Sequence, residues 1–396
     1  MGAFTRLKTE IERTNFMSQI TTILRGAQKV YETPVLFRSA GAWVKNALAE
    51  AGLAEGVMET AGDHVLLIDA PCPELTAAEY KRLVESHLAI GADFTVFVCR
   101  MPQRDAADAI VRLAPDTVPV VCARTEAAKA LGTGDLIEAV NTAIASGKTA
   151  EAVLCEPVVA ITDGMSAFEA QKRLCTRINM RHIAAGVQIF APDSVYIAPD
   201  AKIGAGTVIL PGTIIRGGCT IGSGCTIGPN TLLEQASVGD RTQVNSSQIY
   251  ESAVGSDATV GPFAYIRPGC SIGNKTRIGD FVELKKAEIG NGTKVSHLTY
   301  IGDATVGERV NFGCGTVVVN YDGYHKFHTN IGDDCFIGCN TNLIAPVSLG
   351  DRVFTGAGTT VTKDVPDGAL VVGRARQTVI DEWNDKRRAR MEQEKK

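Results

Sequence analysis

Between Val260 and Gly358 the chain gathers most of the side chains that could do chemistry: Arg267, Lys285, His297, Tyr300, Asn311, Asn320, Tyr321 and Lys326. An imidazole, whose ordinary pKa lies near 6.5, takes a proton readily close to neutral pH, so His297 is the candidate base. Arg267 and Lys285 are 18 residues apart. If that spacing returns the chain to the same edge, the two cations suit a phosphate monoester. If it does not, they are two solvated surface charges. His297 has its own bland alternative as a packed core histidine.

Such side chains need a scaffold, and the sequence displays one. Aliphatic residues recur every six positions, at Ile203, Ile209, Ile215, Ile221 and Ile227, and again at Val254, Val260, Ile266, Ile272 and Ile278. A period of six fits neither a helix nor an ordinary strand. It fits a triangular solenoid in which each side of a coil is a short strand and a turn. The aliphatic side chains fill the prism. The following glycines, as in Ile203-Gly204 and Ile272-Gly273, are expected at corners needing positive φ. Three hexads make an 18-residue coil. One-residue slips, from Leu233 to Val238 and from Val244 to Ile249, read as tightened corners. The polar and aromatic stretch Val319 to Asn330 interrupts the ladder. A loop of that length on a rigid scaffold is either functional or a tolerated insertion.

The 396 residues suggest two domains. A net charge of −4 gives no case for nucleic acid or an anionic membrane as partner. No apolar run approaches the roughly 18 residues of a membrane span. Met1 to Thr14 carry charges and no hydrophobic run, so no secretory signal is expected, and Met17 is an alternative start. The 11 Cys show neither CxxC pairs nor metal-ligand spacing. They read as thiols in a reducing cytoplasm, and no metal site is expected in the ladder.

Residues 1–164 read as an α/β domain with a mostly parallel sheet. Apolar runs at Ile20–Leu24, Val65–Asp69, Phe94–Cys99 and Val118–Cys122 alternate with helical stretches at Ala40–Ala51, Ala77–Ile90, Gln103–Leu113 and Leu136–Ala145. Residues 165–186 read as a linker helix, 187–375 as the solenoid and 376–396 as a helical, basic tail. That tail would pack on the open prism end through Val379, Ile380 and Trp383. No nucleotide fingerprint occurs in the first domain. Leu24 to Val30 holds a single glycine, and Asp69, at a strand tip, has no evident second ligand for Mg²⁺.

Several runs carry a more specific signal. They are Gly261-Pro-Phe-Ala-Tyr-Ile-Arg-Pro-Gly269, Gly279-Asp-Phe-Val-Glu-Leu-Lys-Lys286, His297-Leu-Thr-Tyr-Ile-Gly-Asp303, Asn320-Tyr-Asp-Gly323, Lys326-Phe-His-Thr329 and Ile331-Gly-Asp-Asp334. In this order they resemble the bifunctional GlmU family of N-acetylglucosamine-1-phosphate uridyltransferases and glucosamine-1-phosphate acetyltransferases. The resemblance implies an all-β left-handed parallel β-helix, a homotrimer with sites in clefts between neighbours, and acetyl-CoA and an amino-sugar phosphate as substrates. It implies His297 as base with Glu283 orienting its ring and Asn320 orienting the amine. Arg267, Lys285, Tyr300, Asn311 and Lys326 would hold the sugar phosphate. Cys314, Asn320, Tyr321, Cys339, Ala357 and Arg374 would line the acetyl-CoA path. Cys314 and Cys339 stand where the family often has Ala and Ser.

The first domain departs from that family. Its nucleotide loop lacks the glycines, Pro34-Val35-Leu36 lacks the expected lysine, and the second metal ligand falls at Thr162. The resemblance therefore implies a degenerate nucleotidyltransferase-like domain that has lost uridyl transfer, with Mg²⁺ needed only if that activity persists. Open alternatives are an acyltransferase for another amino sugar, retained uridyl transfer, and a non-enzymatic trimeric scaffold.

Overall fold

The computed structural model describes residues 20 to 394. The stretch expected to lack a secretory signal, Met17, Lys395 and Lys396 lie outside the described residues. The chain forms two compact units. One runs to Arg181 and includes Tyr196–Pro199; the other comprises His182–Val195 and the chain from Asp200 onward.

The first unit holds a six-stranded sheet in the order Ala150–Leu154, Phe94–Val98, Val120–Arg124, His64–Ile68, Thr21–Leu24, Ala54–Glu55. Helices Ala40–Ala51 and Ala77–Ile90 cover one face, where Val44, Leu48, Tyr80, Leu83 and Val84 pack on Leu66 and Ile68. Helix Leu136–Ala145 covers the other, with Leu136, Ile137 and Val140 against Val65, Leu67 and Phe94. Local chemistry sets the helix ends. Ser39 caps the first, and Thr76 with Glu79 forms a capping box on the second. Gly52 and Gly91 end them at φ 76° and 75°. Helix Gly164–Ala184 is tied to this unit by Gln171, which accepts from Leu36 N at 3.2 Å, and by Arg177, which donates to Glu74 O at 2.6 Å.

The expected helix over Gln103–Leu113 is instead a hairpin of Gln103–Arg104 against Ile110–Arg112. The Asp105 carboxylate accepts from the backbone of Ala107 and Ala109, both at 2.9 Å. A side chain that bonds its own downstream backbone competes with helix. The sheet follows from this. A parallel neighbour needs a long crossover, usually helical. Without that helix, Val120–Arg124 returns antiparallel to Phe94–Val98 and also lies antiparallel to His64–Ile68. The other pairs are parallel, so the sheet is mixed rather than parallel throughout.

The second unit is a left-handed parallel β-helix whose strands run from Gln188 to Val371. Its aliphatic ladder is buried: Ile209, Ile215, Ile249, Ile266, Leu284, Ile301 and Val318 have no exposure. The coil is shorter than 18 residues in places. Ile203 pairs with Ile221, Ile221 with Val238 and Leu233 with Ile249, offsets of 18, 17 and 16. Glycine meets the corner expectation at Gly261, left-handed at φ 99°, but not throughout. Gly204 and Gly273 are not left-handed; a Cβ at either would strike the backbone of the next coil. The left-handed position comes two residues later and accepts ordinary side chains. Lys275, Arg309, Asp334 and Arg352 hold it on one corner, at φ between 55° and 56°. Beyond the ladder, Val379, Ile380 and Trp383 are 70%, 66% and 52% exposed, so they do not pack as a cap. The tail is helical only over Trp383–Gln393, where Arg387 sits over the Trp383 ring. Among the described residues no helix is long and apolar enough to cross a membrane.

Candidate active site

One corner of the β-helix organises the site. Its left-handed residues are Phe263, Phe281, Leu298, Gly315, Asn340 and Gly358. The residue just before each turn therefore occupies an equivalent place on successive coils. Those residues are Pro262, Asp280, His297, Cys314, Cys339 and Ala357. Strand register confirms the column: Asp280 pairs with His297, Val295 with Phe312, Phe312 with Ile337 and Ile337 with Thr355. Arg374 closes it, donating from Nη1 to Ala357 O at 2.7 Å.

His297 ends the strand Lys294–His297, and its side chain is 56% exposed. It is not sealed in the prism. Its Nδ1 lies 2.7 Å from Asp280 Oδ1. The His297 bond holds the Asp280 carboxyl below the usual carboxylate range. With Nδ1 bonded to a carboxylate, Nε2 is left as the proton-accepting nitrogen. This corrects the expectation for Glu283. That carboxylate accepts from Arg267 Nη1 at 2.8 Å instead. Glu283 lies on the adjoining strand, in register with Tyr265 and Tyr300, so it belongs to a different side of the prism. The missed residue, Asp280, sits 17 positions before His297, one short coil away.

The cations form a second group. Arg267 N donates to Leu284 O, which places Arg267 beside Lys285 on the next coil, and Lys285 pairs with Gly302. The Lys326 side chain reaches Lys285 from the loop, and this neighbour pushes the Lys285 pKa down. Two like charges held together favour an anion between them. Beside them Asn320 is buried, and its Nδ2 donates to Asp303 Oδ2. A side chain at Gly302 would collide with Tyr300 Oη and Asn320 Nδ2, so glycine lets these two groups approach. The loop is internally braced. Tyr321 bridges Lys326, and Asp322 Oδ1 accepts from Tyr324 N and His325 N at 2.8 and 2.6 Å. Tyr321 is exposed.

Asn311 stands apart. It pairs with Lys294 and Phe336 in one sheet, whereas Lys285 and Tyr300 lie in another. A single chain thus holds the base, its carboxylate and a row of small residues on one corner and a cation cluster on another sheet, while Asn311 shares the sheet of His297 and lies apart from the cations.

The nucleotide-like place in the first unit is arranged otherwise. Arg25 donates from Nη2 to Gly132 O and Gly134 O at 3.1 and 2.8 Å, and its Nε lies 3.5 Å from Asp69 Oδ1. The adjoining cleft, about 600 Å³, is lined by Asp69, Asp116, Asp135, Glu138 and Glu169 against one cation, Arg173. Among the described residues no three His, Cys, Asp or Glu side chains converge as a metal site would need.

Comparison with known proteins agrees with the geometry of the β-helix. Residues 194–235, 251–286 and 328–363 match the bacterial transferase hexapeptide family (six repeats). The chain is 56% identical over 212 residues to the bifunctional protein GlmU of Clostridium perfringens, covering 54% of this chain and 47% of that one. It is 50% identical over 232 residues to the GlmU of Clostridium acetobutylicum, covering 59% and 51%. The chain thus spans about half the length of these relatives. A solved UDP-N-acetylglucosamine acyltransferase from Campylobacter jejuni aligns over 51% of this chain and 82% of that one, at 18% identity and a TM-score of 0.24, too slight a likeness to carry an argument. By sequence, the chain is similar over part of its length to the bifunctional GlmU proteins, and three of its stretches match bacterial transferase hexapeptide repeats.

Proposed function

We propose that the β-helix transfers the acetyl group of acetyl-CoA to the amine of glucosamine 1-phosphate, giving N-acetylglucosamine 1-phosphate. The observation that carries this reading is the exposed His297–Asp280 pair at the head of a column of small residues. The sugar enters as an ammonium with a pKa on the order of 8. His297 Nε2 takes its proton, the freed amine attacks the thioester carbonyl, the C–S bond breaks, and the proton shed by the new amide nitrogen passes to the leaving CoA thiolate. Cys314, Cys339 and Ala357 leave room for the thioester arm, and Arg374 pairs with a CoA phosphate. Arg267, Lys285 and Lys326 hold the sugar phosphate, which favours this substrate over an unphosphorylated amino sugar. Three copies assemble so that Asn311 of one meets the cation group of another. The test is mass-spectrometric detection of the acetylated sugar phosphate. His297→Ala should lower the rate by about 10² to 10⁴. An unchanged rate would remove the proposal.

We infer that the first unit no longer transfers uridyl groups. Arg25 is engaged with Asp69 and two carbonyls, and the acidic cleft repels a triphosphate. Pyrophosphate release from UTP would refute this.

A further inference from the structure

The acyl-carrier column holds a feature that acetyl transfer does not use: two exposed thiols, Cys314 and Cys339. They occupy the same corner position on neighbouring coils, since Phe312 pairs with Ile337 and the same two-residue step leads to each cysteine. Asn340 N donates to Cys314 O at 2.8 Å, which fixes the two coils against each other at this corner. A Cβ at Gly313 would lie 2.5 Å from Cys339 N, so the coils approach closely here. Equivalent positions on adjacent strands are about 4.8 Å apart. A disulfide spans Cα atoms about 4.4 to 6.8 Å apart. Equivalent corner positions also give the two Cα–Cβ bonds the same direction, so the Cβ atoms start about 4.8 Å apart and must tilt together to reach the roughly 3.5 to 4.5 Å of a disulfide. Cys219, Cys225, Cys270 and Cys335, in contrast, are buried. Desolvation by burial raises the pKa of each and keeps its reactive thiolate scarce.

We propose that Cys314 and Cys339 form a reversible dithiol site that reacts with small disulfides and, once oxidised, shuts acetyl transfer. The proposal rests on the acetyltransferase reading only for its consequence; the bond itself is independent of it. The thiolate of one cysteine attacks a sulfur of a small disulfide such as glutathione disulfide. The S–S bond breaks and one small thiolate leaves. The second cysteine's thiolate then attacks the protein sulfur of the mixed disulfide and expels the other small thiolate. The protein loses two hydrogens as it is oxidised, and one small disulfide is reduced to two thiols. The new bond bridges the column between His297 and Arg374, where the thioester arm must lie.

The full chain would be incubated with excess glutathione disulfide, alkylated and digested with trypsin. Cleavage leaves Cys314 in residues 310–326 and Cys339, with buried Cys335, in residues 327–352. The expected product joins these two peptides through Cys314 and Cys339. Separate glutathione adducts without the cross-link, or a bond to Cys335, would overturn the site. The oxidised protein should acetylate at least about tenfold more slowly, because displacing a reacting group by an ångström costs up to about 100-fold. Dithiothreitol should restore the rate. The double variant Cys314→Ala/Cys339→Ala, compared with its own reduced rate, should show no loss on oxidation, whereas each single variant should trap one glutathione on the remaining cysteine and form no cross-link. A cross-link without loss of rate would overturn the switch. A reduced protein without any acetyl transfer would refute the acetyltransferase reading instead, with the cross-link still deciding the site.

Discussion

In the acetyltransferase reading, the orientation of one imidazole matters most, and Asp280 is the side chain that holds it. The carboxylate on Nδ1 fixes the tautomer in which Nε2 accepts a proton. Asp280→Asn should therefore lower kcat for acetyl transfer by about 10 to 100-fold with little change in KM. A purely structural role would raise KM or lower the folded fraction as well. The Asp280 pKa is depressed, so the pair persists from neutral pH down through the ordinary carboxylate range and is lost only on further acidification. His297 itself was legible from its type and its neighbouring motif. Its partner was not, because choosing between Glu283 and Asp280 requires knowing which coil lengths are 17 and which are 18. The same ambiguity hid Asp303, the partner of Asn320.

Individual elements show where sequence reading succeeds. Helices Ala40–Ala51, Ala77–Ile90 and Leu136–Ala145 were readable because caps and apolar spacing agree. Gln103–Leu113 misled because Ala, Gln and Arg favour helix locally, whereas the Asp105 side chain closes a turn. The strand Arg277–Asp280 offers a direct test of coil stacking. A Cβ on Gly279 would strike Ser296 O, next to His297. Gly279→Ala should destabilise the protein by about 1 to 3 kcal/mol in thermal or urea unfolding and lower kcat with it. Strand His64–Ile68 and helix Ala77–Ile90 carry a second test. His87 Nε2 lies 3.0 Å from His64 Nδ1, and its Nδ1 lies 2.9 Å from Thr95 Oγ1. Burial lowers the His87 pKa to about 4, with His64 and Arg124 adding to the effect. The unfolded chain binds a proton near the ordinary value of about 6.5, so stability falls as pH drops from there towards the folded value. The melting temperature of the first unit should decline across that window, and less steeply in His87→Gln.

At the scale of the whole molecule, the groups proposed to hold the sugar phosphate do not all meet within one chain. Arg267, Lys285 and Lys326 gather on one side, and Asn311 faces another. If copies share their sites, two inactive variants should repair each other. Co-expressed Lys285→Ala and Asn311→Ala chains should regain measurable acetyl transfer, whereas either variant alone should not. Sedimentation should show a trimer; a monomer retaining full activity would refute the shared arrangement. The solenoid was legible because each coil repeats the same demand for an inward aliphatic residue. The separation of Asn311 was not, since periodicity counts residues without saying which side of the prism each one faces.

The corner column has a last consequence. From His297 the levels run through Cys314, Cys339 and Ala357 to Arg374, and each step is about 4.8 Å, or roughly 19 Å in all. In the proposed reading, the reach left for a carrier arm is therefore quantised. A longer or shorter arm can be accommodated only by inserting or deleting whole turns of the screw, because residues added within one turn bulge outwards and leave the spacing of the rungs unchanged, as the loop between Phe312 and Ile337 does.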